Sequence, residues 1–217
     1  QGRVADAFSL NRQAMADAHV LAPSVIGDLA IALEWREGRL QFARGREDLS
    51  LAAYQRAVAH LERLRQDIPI EYDDGRSSFR QTLEPIYLGL ADLLLKEAER
   101  QSGDAKIAYL RRVIDTLELI KQSELQDYLG DRCTLEAVQR GSSSEDLGRD
   151  IFNEFSNIPA GTAVLYPVIF RDRIELLLLT AHDIVRRGHA LPGAVLRETA
   201  LTLAADLRNG DAGYLPR

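Results

Sequence analysis

The stretch Thr162–Thr180, with the sequence TAVLYPVIFRDRIELLLLT, constrains the fold of this chain more than any other. It contains two apolar runs rich in Val, Ile and Leu, joined by the charged triplet Arg171-Asp172-Arg173. Two such runs separated by a short polar connection are typical of a β-hairpin. The sequence up to about Gly141 has helical periodicity instead, so this stretch marks the change from a helical region to a region that contains a sheet.

The sequence after residue 160 predicts a small sheet followed by one helix. The predicted strands are Ala163–Phe170 and Ile174–Thr180, with a weaker third strand at Ile184–Leu191, and the helix is Val195–Leu207. Because the first two runs are apolar at nearly every position, we expect the sheet to be covered on both faces. Only residues 181–217 follow the hairpin, too few to complete a new α/β domain, so we expect the chain to be a piece of a larger protein.

The region before the hairpin predicts a series of paired helices, because apolar residues recur every three or four positions. The predicted helices are a pair within residues 3–44, broken at Pro23-Ser24, and single helices at 47–67, 77–100 and 105–129. Pro85 leaves the start of the helix at 77–100 open, since that helix begins either near Ser78 with a kink or at Pro85 itself. Asp104 is the expected N-cap of the helix at 105–129.

Helical hairpins that each leave an apolar face for the next form a repeat array. We therefore predict a mainly α chain with a helical repeat-like region at residues 1–140. The polar segment 141–149, GSSSEDLGR, is the predicted linker, and residues 150–217 begin an α/β domain.

The composition and charge of the chain make several classes of protein unfavourable. The net charge of −6 and the pI of about 5.3 argue against a general nucleic-acid or anionic-membrane binder, because phosphate contacts need clustered Lys and Arg. The longest apolar runs fall short of the roughly 18 residues of a membrane span. Cys133 is the only cysteine, so an intrachain disulfide is impossible and the fold does not depend on an oxidising compartment. We expect a cytoplasmic protein.

Three stretches resemble parts of the bacterial CHAT proteins, which carry tetratricopeptide-type repeats followed by a caspase-like domain. Ser78–Lys96, SFRQTLEPIYLGLADLLLK, is similar to the long helix that often comes last in their repeat array. Ala108–Cys133, which ends in ELQDYLGDRC, is similar to the helix and acidic segment that lead into the protease-like domain. Ala163–Thr180 is similar to the first strands of that domain, whereas residues 1–77 do not match a repeat signature well.

The resemblance implies a tetratricopeptide-like array followed by the first strands and helix of an α/β caspase-like domain. It also implies a parent cysteine peptidase that is regulated by partners docking on its repeats. Such peptidases use a His followed closely by Gly and a later Cys, and this chain has neither motif. We therefore predict a protein-interaction or regulatory region without catalytic residues; the alternative is part of a caspase-like cysteine peptidase whose His/Cys dyad lies beyond residue 217.

Cys133 is the obvious candidate nucleophile, with His182 or His189 as a candidate basic partner. Asp131 lies close to Cys133, and a neighbouring carboxylate raises the pKa of a thiol rather than lowering it. We therefore interpret Cys133 as a structural or incidental thiol. The sequence gives no reason to expect a cofactor.

The acidic residues Asp127, Asp131 and Glu136 could suggest a cation site. Hard cations need several oxygens that converge from one loop, and these residues have neither the spacing nor the Gly of an EF-hand. We interpret them as solvated surface and predict no metal site.

Aromatic residues offer one possible binding feature in the helical region. Trp35, Tyr54, Tyr72 and Tyr87 could line a peptide groove, where aromatic side chains serve as anchors. Tyr54 and Tyr87 lie on apolar stripes, so we expect them in the core, which leaves Trp35 and Tyr72 freer to bind. The expected partner is another protein or the remainder of the same chain, with homodimerisation through an exposed strand edge as a further possibility.

Overall fold

A computed structural model of the protein describes residues 2–18, 23–64, 83–129, 158–159 and 161–209. The chain divides into two compact units, Gln1–Ile151 and Phe152–Arg217, which are treated separately below. The predicted linker at 141–149 lies outside the described residues.

The first unit contains five described helices, and they confirm the predicted helical segments. Their bounds are α1 Gly2–Ala18, α2 Pro23–Ala43, α3 Glu47–Leu64, α4 Glu84–Arg100 and α5 Gly103–Leu129. Pro85 lies in the first turn of α4, where its missing N–H costs no helical hydrogen bond. The prediction that Asp104 is the N-cap of α5 is wrong, because the helix begins at Gly103 and Asp104 lies in its first turn. None of the described helices is both long and apolar enough to cross a membrane.

These helices pack as consecutive hairpins. The most extensive contacts join α2 to α3 and α4 to α5, while α1 lies against α2 and α3 against α4. The turn at residues 44–46 is short, and Gly45 adopts a positive φ of 72° that suits a glycine. The core of this unit consists of buried aliphatic and aromatic side chains on α3, α4 and α5, among them Leu61, Ile86, Tyr87, Leu94 and Ile114.

Tyr54 of α3 joins three helices at one point. A Cβ on Gly38 of α2 would lie 2.5 Å from Tyr54 Cδ2, and a Cβ on Gly89 of α4 would lie 2.8 Å from Tyr54 Cζ. The ring therefore fits between two helix backbones that approach closely only because both positions lack a side chain. Ser50, one turn before Tyr54, is fully buried and donates a hydrogen bond of 2.8 Å to the Gly38 carbonyl.

The second unit contains a three-stranded antiparallel sheet in the order β1-β2-β3. Its strands are β1 Ala163–Ile169, β2 Ile174–Thr180 and β3 Ile184–His189, and the helix α6 Gly193–Asn209 follows. These bounds confirm the predicted hairpin, the weaker third strand and the terminal helix.

The prediction that both faces of the sheet are covered is wrong. Burial alternates along β1 and β2, so that Tyr166, Val168 and Leu177 are buried, whereas Leu165 and Leu178, which face each other across the pair, are exposed. Alternate residues of a strand point to opposite faces, and one face of this sheet is therefore apolar but open to solvent. An all-apolar strand sequence does not distinguish this arrangement from a sheet covered on both sides.

The buried face of the sheet contains a compact ion cluster. Glu175, which is 2% exposed, accepts hydrogen bonds from Arg186 at 2.8 and 2.9 Å and from Arg173 at 2.7 Å. Gly188 stands opposite Glu175 in the register, and a Cβ there would lie 2.9 Å from the carboxylate. The missing side chain of Gly188 thus makes room for this cluster.

The first prediction concerns the close contact between Gly38 and Tyr54. Gly38→Ala should destabilise the wild-type protein, because the new methyl group clashes with a ring that is held on its other side by Gly89. In a Tyr54→Ala background the clash is gone, and the same change should stabilise by roughly 0.5–1 kcal/mol, since Ala favours a helix over Gly. Urea unfolding of the four proteins measures the cycle. An equal effect of Gly38→Ala in both backgrounds would show that Tyr54 does not hold these helices together.

The second prediction concerns the charge of Glu175. Burial raises the pKa of this carboxyl group, but the hydrogen bonds from Arg186 and Arg173 outweigh burial and leave the pKa below its usual 4.5. The ionised form therefore stabilises the fold above about pH 4.5, and this stabilisation is lost as the pH falls through the lower folded-state pKa. Glu175→Gln should cost about 1.5–3 kcal/mol at neutral pH and progressively less in acid.

Hydrogen exchange of the β2 amides reports this change directly, because they belong to the strand that carries Glu175. Asp172→Asn is the matched control, since Asp172 is exposed and only 3.5 Å from the same Arg173 side chain. The control should exchange like wild type. A Glu175→Gln effect that persists below the pKa of the carboxyl group would contradict a role for its charge.

Candidate interaction surface on helices α2 and α4

Helix α2 separates its charges between two sides. Glu34 and Glu37 are buried, and each is matched by polar partners from inside the unit. Arg56 of α3 donates two hydrogen bonds of 2.9 Å to the Glu34 carboxylate. Glu37 accepts a hydrogen bond of 2.8 Å from Gln41 and one of 3.3 Å from Asn11 of α1. The acidic side chains of this part of α2 are therefore neutralised or satisfied within the fold.

The opposite side of α2 is basic and aromatic. Trp35, Arg39 and Phe42 follow one another at spacings of four and three residues, which places them on one face of the helix. The Arg39 guanidinium lies 5.3 Å from the centroid of the Trp35 ring, a cation–π distance. Phe42 is 42% exposed, and both Arg36 and Arg39 are exposed.

Helix α4 completes this face with a second cation. The Lys96 ammonium lies 4.3 Å from the centroid of the Phe42 ring and 2.8 Å from Asp92 Oδ2. Lys96 therefore connects α4 to α2 through an aromatic contact rather than through an ion pair. We name the set formed by Trp35, Arg36, Arg39, Phe42, Asp92 and Lys96 the α2–α4 surface.

The Tyr54 hydroxyl lies close to several members of this surface. Burial raises the pKa of Tyr54, whereas the Trp35 side chain and the nearby Arg39 oppose that rise. Asp92 is also close enough to act on the hydroxyl electrostatically. The ring that packs between α2 and α4 therefore lies next to residues of both helices that belong to the surface.

The α2–α4 surface has the chemistry of a binding site rather than of a catalytic site. Two aromatic rings and three cationic side chains offer apolar contact and attraction for carboxylates, and guanidinium groups bind carboxylates bidentately. Among the described residues, His, Cys, Asp and Glu side chains form no group that could hold a metal ion.

Asp115 of α5 has a strongly perturbed pKa but no catalytic setting. Burial raises the pKa of Asp115 to about 7, and Arg112 partly opposes that rise. The charged groups that act on it, Arg112, Glu118 and Arg111, all lie on the same helix. A perturbed carboxyl group needs a reactive partner from a second element before it suggests chemistry, and the described residues around Asp115 supply none.

The structure sorts the residues singled out from the sequence. Tyr87 is fully buried and Tyr54 nearly so, which confirms both as core residues. Trp35 is half-buried. The other candidates are either exposed or not described. His182 and His189 are exposed in the second unit, the side chain of Asp127 is not described, and Tyr72, Asp131, Cys133 and Glu136 lie outside the described residues.

Sequence reasoning missed Arg39, Phe42 and Lys96. The spacing of Trp35, Arg39 and Phe42 is visible in the sequence and could have suggested a shared helix face. The contribution of Lys96 depends on the packing of α4 beside α2, which no local pattern predicts.

The chain matches no protein-family model, no curated protein and no solved structure. The function is therefore inferred from the surfaces themselves.

The third prediction is that the α2–α4 surface contributes little to stability. Arg39→Glu and Phe42→Ala should each change the free energy of unfolding by about 0.5 kcal/mol or less, because exposed side chains away from the core rarely matter more. Thermal unfolding followed by circular dichroism checks this. Tyr87→Ala, a core truncation, should cost several times more. A large loss in the Arg39 variant would mean that the surface is part of the folding core.

Proposed function

We propose that the helical region is a protein-interaction module, and that its α2–α4 surface binds an acidic segment carrying at least one large apolar side chain. The segment belongs to a partner protein or to another part of the same chain. Apolar side chains of the ligand pack on Trp35 and Phe42, and its carboxylates pair with Arg36 and Arg39.

The arrangement of charge on α2 carries this proposal. The chain has a net charge of −6, yet the exposed face of the second half of α2 is cationic because Glu34 and Glu37, the acidic residues of that half, are buried. Arg and large aromatic residues are also the side chains that dominate binding energy in protein interfaces. An acidic ligand would therefore find here both attraction and apolar contact.

The packing of α2 on α3 supports a tetratricopeptide-like character for this pair. Tetratricopeptide repeats place a Gly on the first helix and an A-x3-F pattern on the second, where small residues allow close contact. Gly38, Ser50 and Tyr54 have this spacing and contact one another, with Ser in place of Ala and Tyr in place of Phe. Repeats of this kind are commonly arranged into extended concave surfaces that bind other proteins.

We propose a relation to CHAT proteins only for a longer protein of which this chain would form a part. The proposal rests on the resemblance of Ser78–Lys96, Ala108–Cys133 and Ala163–Thr180, and the last of these contains the β1–β2 hairpin. The described residues contain no feature that favours peptidase chemistry in this chain, so only the interaction function is proposed for it. The gene sequence beyond the codon for Arg217 tests the relation, since a CHAT protein would encode a His-Gly pair and a later Cys there.

The fourth prediction tests the binding function by selection from a displayed library of random peptides. Peptides selected on the wild-type chain should be enriched in Asp and Glu next to Phe, Leu or Trp. Arg39→Glu and Phe42→Ala should each lose at least about tenfold in affinity for the selected peptides, because truncation of interface anchors costs more than 1 kcal/mol.

Lys106→Glu is the matched control for charge, because Lys106 is an exposed cation on α5 rather than on α2 or α4. This variant should bind like wild type. Selected peptides without acidic residues, or equal loss of binding in the Lys106 variant, would count against the α2–α4 surface as the binding site.

A further inference from the structure

The second unit exposes two apolar surfaces that do not cover each other. The first is the outer face of the sheet, where Leu165 is 55% and Ile169 45% exposed and where Leu176 and Leu178 are also exposed. The second is a stripe on α6, in which Val195, Leu203 and Leu207 recur every four or eight residues and are exposed as well. Soluble proteins rarely leave adjoining apolar surfaces of this kind without a partner.

The start of α6 is fixed beside the outer face of the sheet. The Gly193 N–H donates a hydrogen bond of 3.3 Å to the Arg171 carbonyl in the β1–β2 turn. A Cβ at Gly193 would lie 2.9 Å from Ile169 Cγ2, and Ile169 belongs to the outer face. The helix thus begins next to this face, but its apolar stripe remains exposed.

The two surfaces have complementary charges along their borders. On β3, Arg187 and His189 stand opposite Leu176 and Ile174 in the register, so they form the basic border of the outer face. On α6, Glu198 and Asp206 lie eight residues apart, in the row next to the Val195 stripe.

We propose that the outer face of the sheet binds α6 of a second copy of this chain. The apolar stripe of α6 lies on Leu165, Leu176 and Leu178 of the partner copy, and its acidic row faces Arg187. Because each copy carries both surfaces, a two-fold axis makes the contact twice and closes the dimer. Using both surfaces twice also doubles the apolar area that association removes from water.

Pairing through the strand edges fits the structure less well than this face-to-helix contact. The Phe170 N–H donates a hydrogen bond to the Arg173 carbonyl, so the backbone groups of Phe170 point toward β2. Successive residues of an antiparallel strand direct these groups alternately toward the partner strand and away from it. The backbone of Pro167, three residues earlier, therefore points to the free edge of β1. Proline lacks the N–H donor that an added strand needs. If the whole of β3 paired antiparallel with β3 of a second copy, Arg186 or Arg187 would lie opposite an arginine of that copy. Like charges directly opposite each other in a sheet are unfavourable.

The fifth prediction is that the 217-residue chain forms dimers that dissociate on dilution, measured by analytical ultracentrifugation over the micromolar range. Leu203→Glu in the α6 stripe and Leu178→Glu on the outer face should each raise the dissociation constant at least about tenfold. Leu201→Glu is the matched control, because Leu201 is 64% exposed but lies on the opposite side of α6. This control should dimerise like wild type.

Charge reversal tests the orientation of the helix. Glu198→Arg and Arg187→Glu should each weaken the dimer, and the double variant should recover part of the lost affinity. Circular dichroism checks that each variant keeps its helix content. A wild-type chain that stays monomeric at the highest concentration would overturn the proposal, and so would a dimer that survives both Leu203→Glu and Leu178→Glu. The α2–α4 surface lies in the other unit, so either result leaves its peptide binding separately testable.

Discussion

The packing of the Tyr54 ring between Gly38 and Gly89 is the contact on which the helical unit depends. It brings the backbones of α2 and α4 close to one side chain of α3, and a Cβ at either glycine would overlap the ring. The hydroxyl of the same ring lies close enough to Trp35, Arg39 and Asp92 for all three to act on its pKa. The α2–α4 surface therefore lies next to this packing, and the separation of its two helices depends on the ring.

The α2–α4 surface is cationic although the chain as a whole is acidic, because two neighbouring carboxylates of α2 are buried. Glu34 is paired with Arg56 and Glu37 is hydrogen-bonded by Asn11 and Gln41, so these two carboxylates are withdrawn from solvent. The arginines on the other side of the helix remain exposed. A net charge of −6 argues against a broad electrostatic attraction to nucleic acid, but it does not describe the local electrostatic field above α2. A similar separation occurs in the sheet, where the buried Glu175 pairs with the half-buried Arg186 and Arg187 is exposed.

The sequence predicts the elements of this fold well and their burial less well. The hairpin, the third strand and the last helix lie within a few residues of their predicted bounds, because local apolar periodicity and the Arg171-Asp172-Arg173 triplet determine them. Coverage of both sheet faces was predicted wrongly, since β2 is apolar on both faces and carries no alternation that marks the open one. Of the α2–α4 surface, sequence reasoning singled out only Trp35, whereas Tyr54 was expected in the core, where it lies. The other members of this surface depend on how α4 lies beside α2, a tertiary feature without a local signal.

Electrostatic binding to the α2–α4 surface is the central claim, and its dependence on salt tests it most directly. Trp35 is the only tryptophan and lies within the surface, so its fluorescence reports binding of an acidic peptide without a label. The claim predicts that affinity falls steadily as ionic strength rises, and that this dependence is weaker in the Arg39→Glu variant than in wild type. An affinity that is independent of salt, or a salt dependence that the Arg39 variant leaves unchanged, would contradict it.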